Sequence, residues 1–377
     1  MKYELYINNH KYHKGIEDYI YSIKNIFSRN NFHINVVNKI SDDVDVLLVI
    51  ENFISIPKEL LEFFEKPKLK KVELCLIHSE FVDQKLFFNL FDSREIIFRN
   101  CLYVGLLSYL YQNDKFYIKK FLFYIIIFFY LLLGLIIGFN PVDIKRRISF
   151  ALRDYNLSKY LKFFSYNLAL SDDVYECLRN NPRIKNAFYL QNYYDFTLIN
   201  KFKERELNNN LLYITGSKTP FRKKVIYSQR KIKFNNFIIN DKLNISKYNF
   251  SKTKELDFNL LLTDETEIKK LIKVYSKKFN IKINQFELYI AQRKNWPYLS
   301  AMRISRAFRN YSIPINVGTF VKSNYENLCI NVKSIDDFIE NYNYLIEDYL
   351  KNYESKIKSF NNMSSKFFNF FIENIKN

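Results

Sequence analysis

Short apolar runs alternate with helix-forming stretches in the first half of this chain, and that alternation is its strongest constraint on the fold. Val44–Ile50 and Val72–Ile77 are runs of strand length that are apolar except at Asp45 and Glu73, and Pro57–Phe64 between them begins with proline, which suits a helix N-terminus. Lys2–Ile7 and His33–Val37 are further strand-like runs. Because strands covered on both faces lack polar alternation, the pattern predicts βαβ units and a largely parallel, Rossmann-like sheet.

The second half repeats the alternation after a polar stretch, Asn208–Asn210, which we interpret as a linker. Strand-like runs there are Leu211–Thr215, Leu260–Leu262, Phe286–Ile290, Ile313–Val317 and Leu328–Val332, and helical spacing marks Glu265–Phe279, Tyr298–Phe308 and Ser334–Tyr353. We therefore predict an α/β fold with two Rossmann-like domains, residues 1–207 and 208–353, facing a central cleft in which ligands bind.

One segment of the first domain carries no charge. Phe121–Phe139 runs for 19 residues between the bases of Lys119–Lys120 and Lys145–Arg147, a length and hydropathy that fit a membrane segment. Three alternatives stay open: a membrane-embedded or monotopic helix, a helix buried in the protein, and a spanning helix. Asn167–Leu170 and Ala187–Leu190 are strand-like again. If these strands complete the first sheet, the segment cannot cross a membrane.

The charge of the chain restricts its partners without identifying one. It has 58 basic and 39 acidic residues, a net charge of +19, which favours an anionic partner: nucleic acid, anionic lipid or a phosphorylated substrate. The bases are spread along the chain, with no basic arm or RNP-type sequence, so we predict no nucleic-acid partner. The four cysteines stand far apart, without the spacing of zinc ligands, and we predict no metal. The N-terminus lacks the apolar core of a signal peptide, so we expect a cytoplasmic protein.

The first candidate binding segment follows the strand at Leu211–Thr215. Gly216 permits an unusual turn and Pro220 starts a helix, whose N–H groups, together with Lys218, Thr219 and Arg222, suit a phosphate. The glycines of a nucleotide-binding loop are missing, and no GxGxxG follows an early strand, which disfavours a dehydrogenase. The alternative is an ordinary strand–turn–helix with bases on its surface.

The second candidate segment is a row on one helix face. Ser300, Arg303 and Arg306 follow one another at spacings of three, which gives hydroxyl and guanidinium donors suited to a diphosphate. The alternative is a solvated face opposite an apolar one.

Three residues just past apolar strands of the first domain are candidate general bases. Glu51 follows Val44–Ile50, and His78 and Glu80 follow Val72–Ile77. Because the carboxyl ends of parallel strands face the ligand crevice, these side chains are placed to accept a proton. The alternative is that the glutamates cap the helices that follow.

The stretch ITGSKTPFRKKVI at residues 214–226, taken with Ser300, Arg303 and the later INVGTF and NYENLCINVKSIDDFI, resembles the second domain of bacterial GT-B-fold glycosyltransferases of the group 1 type. The resemblance in these motifs covers about residues 211–340, and the two-half layout extends it. The E-x7-E signature of many retaining members is not evident, with Met302 and Arg303 near its place, so stereochemistry stays open.

The resemblance implies a transferase that moves a sugar from a nucleotide-sugar donor, without metal, to a saccharide, lipid-linked or surface-glycan acceptor. The diphosphate would lie against Gly216, Thr219, Arg222 and the Ser300/Arg303 helix, and His78 or a nearby glutamate would deprotonate the acceptor. It also implies that a helical tail, 354–377, packs back on the first domain. With the basic surface and Phe121–Phe139, it fits a protein at the inner face of an anionic membrane. A membrane-associated binding or assembly protein of the same fold is the alternative function.

Overall fold

A computed structural model gives the fold of two compact units of this chain, Met1–Gln191 with Lys366–Asn377, and Asn192–Ser365. The structure describes residues 1–8, 16–52, 56–65, 72–79, 92–112, 117–195, 209–215, 220–227, 236–238, 257–263, 284–290, 299, 301–318 and 323–376. The chain is a mixed α/β protein with two parallel sheets.

The first unit is built on a six-stranded parallel sheet in the order β2-β1-β3-β4-β5-β6. Its strands are β1 Tyr3–Tyr6, β2 Ile34–Val37, β3 Val46–Ile50, β4 Glu73–His78, β5 Tyr166–Ala169 and β6 Ala187–Tyr189. Its helices are α1 Glu17–Arg29, α2 Lys58–Glu65, α3 Ser93–Cys101, α4 Val104–Gln112, α5 Tyr117–Ile136, α6 Pro141–Tyr160 and α7 Asp172–Arg179.

The central strands of this sheet are its best-buried part. Every residue of β3 and β4 is buried, which suits their largely apolar sequences in a sheet that helices cover on both faces. Helix α1 contributes Ile23, Ile26 and Phe27 to the core, the pattern of an amphipathic helix facing a sheet. The prediction of a parallel, Rossmann-like sheet in this half is confirmed.

Four of the described helices, α3 to α6, lie in an insertion between the neighbouring strands β4 and β5, which pair directly in the sheet. The insertion has its own core of Phe98, Leu107, Tyr130, Ile144, Ile148 and Leu152. Because the strands before and after it lie in one sheet, a single membrane crossing within the insertion is excluded. In the part of the chain that the structure describes, we find no helix with the length and hydropathy needed to traverse a bilayer.

Helices α5 and α6 form a hairpin, and Gly138 and Asn140 determine the turn between them. The N–H of Phe139 donates to Gly134 O (2.8 Å) and that of Gly138 to Leu135 O (3.0 Å), the Schellman pattern, with Gly138 at φ +92°. The Asn140 side chain then accepts from the N–H of Asp143 and caps α6. At Gly134 a Cβ would lie 2.5 Å from Ile144 Cγ1, so this glycine allows the two helices to approach closely.

The second unit contains a second parallel sheet, in the order β12-β11-β10-β7-β9-β8. Its strands are β7 Asn209–Thr215, β8 Asn236–Ile238, β9 Asp257–Thr263, β10 Asn284–Tyr289, β11 Ile313–Val317 and β12 Ile330–Val332. The helices described for it are α8 Pro220–Tyr227, α9 Ala301–Arg309 and α10 Ile335–Glu340, and a long final helix, α11 Tyr342–Lys376, begins in it. Residues of α11 from Lys366 onward group with the first unit.

Two predictions for this half are wrong. Asn208–Asn210 is not a linker over its whole length, because Asn209 and Asn210 begin β7; Asn210 is buried and its Oδ1 accepts from the Tyr342 hydroxyl (2.8 Å), which satisfies the polar amide. Ser334–Tyr353 is not one helix, because the chain leaves helical geometry at Asn341 between α10 and α11. The predicted helix Glu265–Phe279 lies outside the described residues.

Candidate functional site

Two groups of polar residues lie at carboxyl ends of parallel strands, one in each unit, and we describe them separately. The first, the carboxyl-edge cluster, consists of Glu51, His78, Ser79, Arg153 and Asn167. The second, the arginine cluster, consists of Arg222, Arg303 and Arg306 with Glu287 and Tyr289. Of the predicted site residues, Glu80, Gly216, Lys218, Thr219 and Ser300 lie outside the described residues.

The carboxyl-edge cluster is centred on a buried ion pair. Glu51 directly follows β3, and its Oε1 accepts from Arg153 Nε of α6 at 2.7 Å, with both side chains almost fully buried. The Ser79 hydroxyl donates to the Glu51 backbone carbonyl (3.1 Å) and contacts Oε2 (3.3 Å). The carboxylate and the guanidinium therefore neutralise each other, and the Ser79 hydroxyl adds hydrogen bonding to Glu51.

His78, the last residue of β4, is buried beside this pair. Asn167 Nδ2 donates to the Lys185 carbonyl (2.8 Å), which turns its Oδ1 toward His78 Nε2 at 2.9 Å. Because that oxygen can only accept, Nε2 carries the proton and Nδ1 keeps a lone pair. Nδ1 is buried and has no hydrogen-bond partner among the described residues. Burial lowers the pKa of His78 to about 4, so the ring is neutral at physiological pH.

The structure thus brings together two of the three predicted general bases and adds two residues that the sequence analysis missed. Arg153 and Asn167 lie far along the chain from Glu51 and His78, with separations of 102 and 89 residues. An arginine in the helix after an apolar segment gives no local signal of this kind. Asn167 does, since an amide inside a short apolar strand needs a buried partner.

The arginine cluster is built from the first turns of two helices. Arg222 is the third residue of α8 and Arg303 the third of α9, one turn before Arg306. Arg222 is fully buried, and its Nε donates to the Ile290 carbonyl at 3.0 Å. Arginine here opposes the helix dipole, whose positive end is at the N-terminus. The arrangement therefore concentrates positive potential where α8 and α9 begin.

One carboxylate balances part of this charge. Glu287 of β10 is buried and forms an ion pair with Arg306 Nη2, and Arg303 Cζ lies 5.4 Å from the Tyr289 ring centroid. Nη1 of Arg303 is buried without a hydrogen-bond partner in the described part of the chain. Arg303 and Arg306, two members of the predicted row, lie one turn apart on α9, and neither is exposed as the residues of a solvated face are.

The pKa shifts follow from this crowding. Burial, followed by the charge of Arg303, lowers the pKa of Arg222 to about 9. Burial also lowers the pKa of Arg303, and Arg306 acts in the same direction, whereas Glu287 raises it. The described residues therefore place three guanidiniums around one carboxylate. Such an excess is the chemistry of an anion site, and the forked donors of arginine match phosphate oxygens.

The described residues contain no group of three or more His, Cys, Asp or Glu side chains arranged to hold a metal ion. No protein-family model, curated protein or solved structure matches this chain.

Proposed function

We propose that the chain is a glycosyltransferase that takes its sugar from a nucleotide-sugar donor without a metal ion. In this proposal the two units are arranged as in the GT-B fold, the second binding the donor and the first the acceptor. The single observation that carries it is the arginine cluster, three guanidiniums around one carboxylate at the start of α8 and α9. A nucleoside diphosphate supplies the negative charge that this cluster lacks.

In the transfer step the bond between the anomeric carbon and the diphosphate oxygen breaks, and a new bond forms to the acceptor oxygen. The negative charge that develops on the departing diphosphate is what Arg222, Arg303 and Arg306 would stabilise. The proton of the acceptor hydroxyl goes to a base. Of the two described candidates, His78 keeps a lone pair on Nδ1, whereas the Glu51 carboxylate is bonded to Arg153. Because burial lowers the pKa of His78 to about 4, the ring can serve as the base only if the acceptor reaches Nδ1 and raises that pKa.

The experiment that tests the function is nucleotide release from UDP-, GDP-, CMP- and dTDP-sugars with EDTA present, with and without saccharide and lipid-linked acceptors. We expect one donor class to release nucleotide, and Arg222→Gln to lower the rate by about a hundredfold or more, since it removes a charged donor to the leaving group. Lys224→Gln is the matched control, because Lys224 is an exposed base on the same helix.

A folded protein that binds a nucleotide through the arginine cluster but releases none from any donor, with any acceptor, would favour the binding or assembly function instead. Equal loss in Arg222→Gln and Lys224→Gln would show that general surface charge, and not the cluster, supports the activity.

A further inference from the structure

The insertion exposes a broad apolar surface on α4 and α5, which we call the apolar face. Helix α5 has 20 residues and is about 30 Å long. One side packs into the insertion core through Tyr130, Gly134 and their neighbours. The other side is exposed, with Phe128 at 58%, Phe129 at 61% and Ile136 at 84% of their full accessibility. The exposed members are Tyr103, Leu106, Tyr109, Phe121, Leu122, Tyr124, Phe128, Phe129, Leu132, Leu135 and Ile136.

This pattern differs from scattered surface hydrophobics, which need no explanation. The outward side chains of α5 continue from Phe121 to Ile136 without a charge. The alternative that Phe121–Phe139 is a helix buried on all sides is therefore wrong.

Cations contact the aromatic residues at both ends of the apolar face. At one end Lys119 Nζ lies 4.2 Å from the Tyr109 ring centroid and 2.7 Å from its hydroxyl. At the other end, Phe139 follows the last turn of α5. The Cζ atom of Arg147 lies 3.9 Å from the centroid of the Phe139 ring, and that of Arg94 lies 5.8 Å from it. The face is thus bracketed by positive charge along the helix axis.

The acidic residues near the face offset only part of this charge, since the Asp92 carboxylate pairs with Arg94 at 2.7 Å. From Asp92 to Arg147 the chain still has eight basic residues against four acidic ones. Glu95 is buried and bonded to Arg99 (2.7 Å) and Arg147 (2.6 Å), so it presents no charge to the outside. The first turns of α6 add Lys145 and Arg146, of which Lys145 is exposed.

We infer that the apolar face lies in the surface of a membrane that contains anionic lipid, with α5 parallel to the membrane plane. Apolar side chains enter the acyl boundary, tyrosines sit at headgroup level, and the flanking bases meet lipid phosphates. A second copy of the chain fits less well, because a self-complementary interface would bring like charges together at its rim. The inference does not depend on transferase activity, since it concerns a surface and not the two polar clusters.

Flotation of the full chain with lipid vesicles tests this inference. We expect strong binding to vesicles of phosphatidylcholine and phosphatidylglycerol in equal amounts, weak binding to phosphatidylcholine alone, and loss of binding in high salt. Phe128→Ser/Phe129→Ser should lower the partition coefficient by roughly a hundredfold, about tenfold for each phenylalanine withdrawn from the acyl boundary. Lys145→Glu/Arg146→Glu should lower it by at least about fivefold for each base.

Tyr344→Ser is the matched control, since Tyr344 is a strongly exposed tyrosine on α11, outside the insertion; it should bind as the unaltered chain does. The variants all change exposed or half-exposed side chains, so circular dichroism should show each of them folded. Absence of vesicle binding by the unaltered chain overturns the inference, as does binding that both insertion variants retain. Concentration-dependent self-association that Phe128→Ser/Phe129→Ser abolishes, without any vesicle binding, would assign the face to a second copy.

Discussion

The two sheets carry charged side chains at the same topological position but balance them differently. At the carboxyl ends of β3 and β4 in the first sheet, Glu51 and Arg153 neutralise each other and His78 is uncharged. In the second unit, Glu287 faces three guanidiniums. A balanced cluster keeps its geometry without a ligand, whereas an unbalanced one is relieved when an anion binds. This difference supports the proposal that the anionic ligand binds to the second unit.

The largest expected effect comes from unbalancing the first cluster. Arg153→Met leaves the Glu51 carboxylate buried without its guanidinium, and we expect the first sheet to lose about 3–5 kcal/mol of stability. Hydrogen exchange of the β3 and β4 amides measures this opening free energy for that sheet. The double variant Glu51→Gln/Arg153→Met should recover most of the loss. Equal losses in the single and double variants would mean that the side chains matter for packing and not for charge.

The second effect is a pH dependence that His78 gives to the first unit. Its folded pKa of about 4 lies below the ordinary value of 6.5, so the unfolded chain binds the proton more readily. Stability should therefore fall as pH drops from about 6.5 to about 4, by roughly 3 kcal/mol in total. Urea titrations across this range, on the unaltered chain and on His78→Gln, measure it.

The difference between those two proteins is the quantity to compare, because burial raises the pKa of Asp173 to about 6 and so acts in the opposite direction. His33→Gln, a change at an exposed histidine, serves as control and should retain the full pH dependence. A His78→Gln curve that parallels the unaltered one would show that the ring is not held neutral by burial.

The smallest effect on stability should come from the second cluster. Arg303→Met removes one of three like charges, which offsets the lost contact with Tyr289, and we expect a change within about 1 kcal/mol, in either direction. Thermal unfolding in buffer without phosphate measures it. A loss as large as that of Arg153→Met would mean that the arginine cluster is a structural network already satisfied within the protein.

The elements that the sequence predicted well are those that depend on local pattern. The runs Val44–Ile50 and Val72–Ile77 correspond to β3 and β4, because short and largely apolar runs are typical of the buried strands of a parallel α/β fold. The prediction of a linker at Asn208–Asn210 was wrong because a polar side chain can also lie in a buried strand when it has a hydrogen-bond partner there. The Tyr342 hydroxyl, from a helix distant in sequence, is that partner for Asn210. Helix α6, which follows the apolar segment, was not predicted at all.

The residues of the candidate sites likewise divide into those that a local pattern predicted and those that it did not. Glu51 and His78 were found from their position after a strand, and the Arg303/Arg306 row from helical spacing. Arg153 and Glu287 were not, because each acts through a residue that is distant in sequence or lies in another element. Charge balance, which separates the two clusters, is a property of the folded chain and cannot be obtained from spacing.

The assignment of the arginine cluster to a nucleotide diphosphate is tested most directly by a calorimetric titration of the full chain with UDP, GDP and dTDP in the presence of EDTA. We expect one of them to bind, and Arg303→Gln to weaken that binding by about ten- to a hundredfold, the effect of removing one charge-assisted donor to a phosphate. Arg309→Gln, on the same helix two turns after Arg303, should bind as the unaltered chain does. A chain that is folded and binds none of these nucleotides, or binds one equally well with Gln at 303, would contradict the assignment of the arginine cluster to a nucleotide diphosphate.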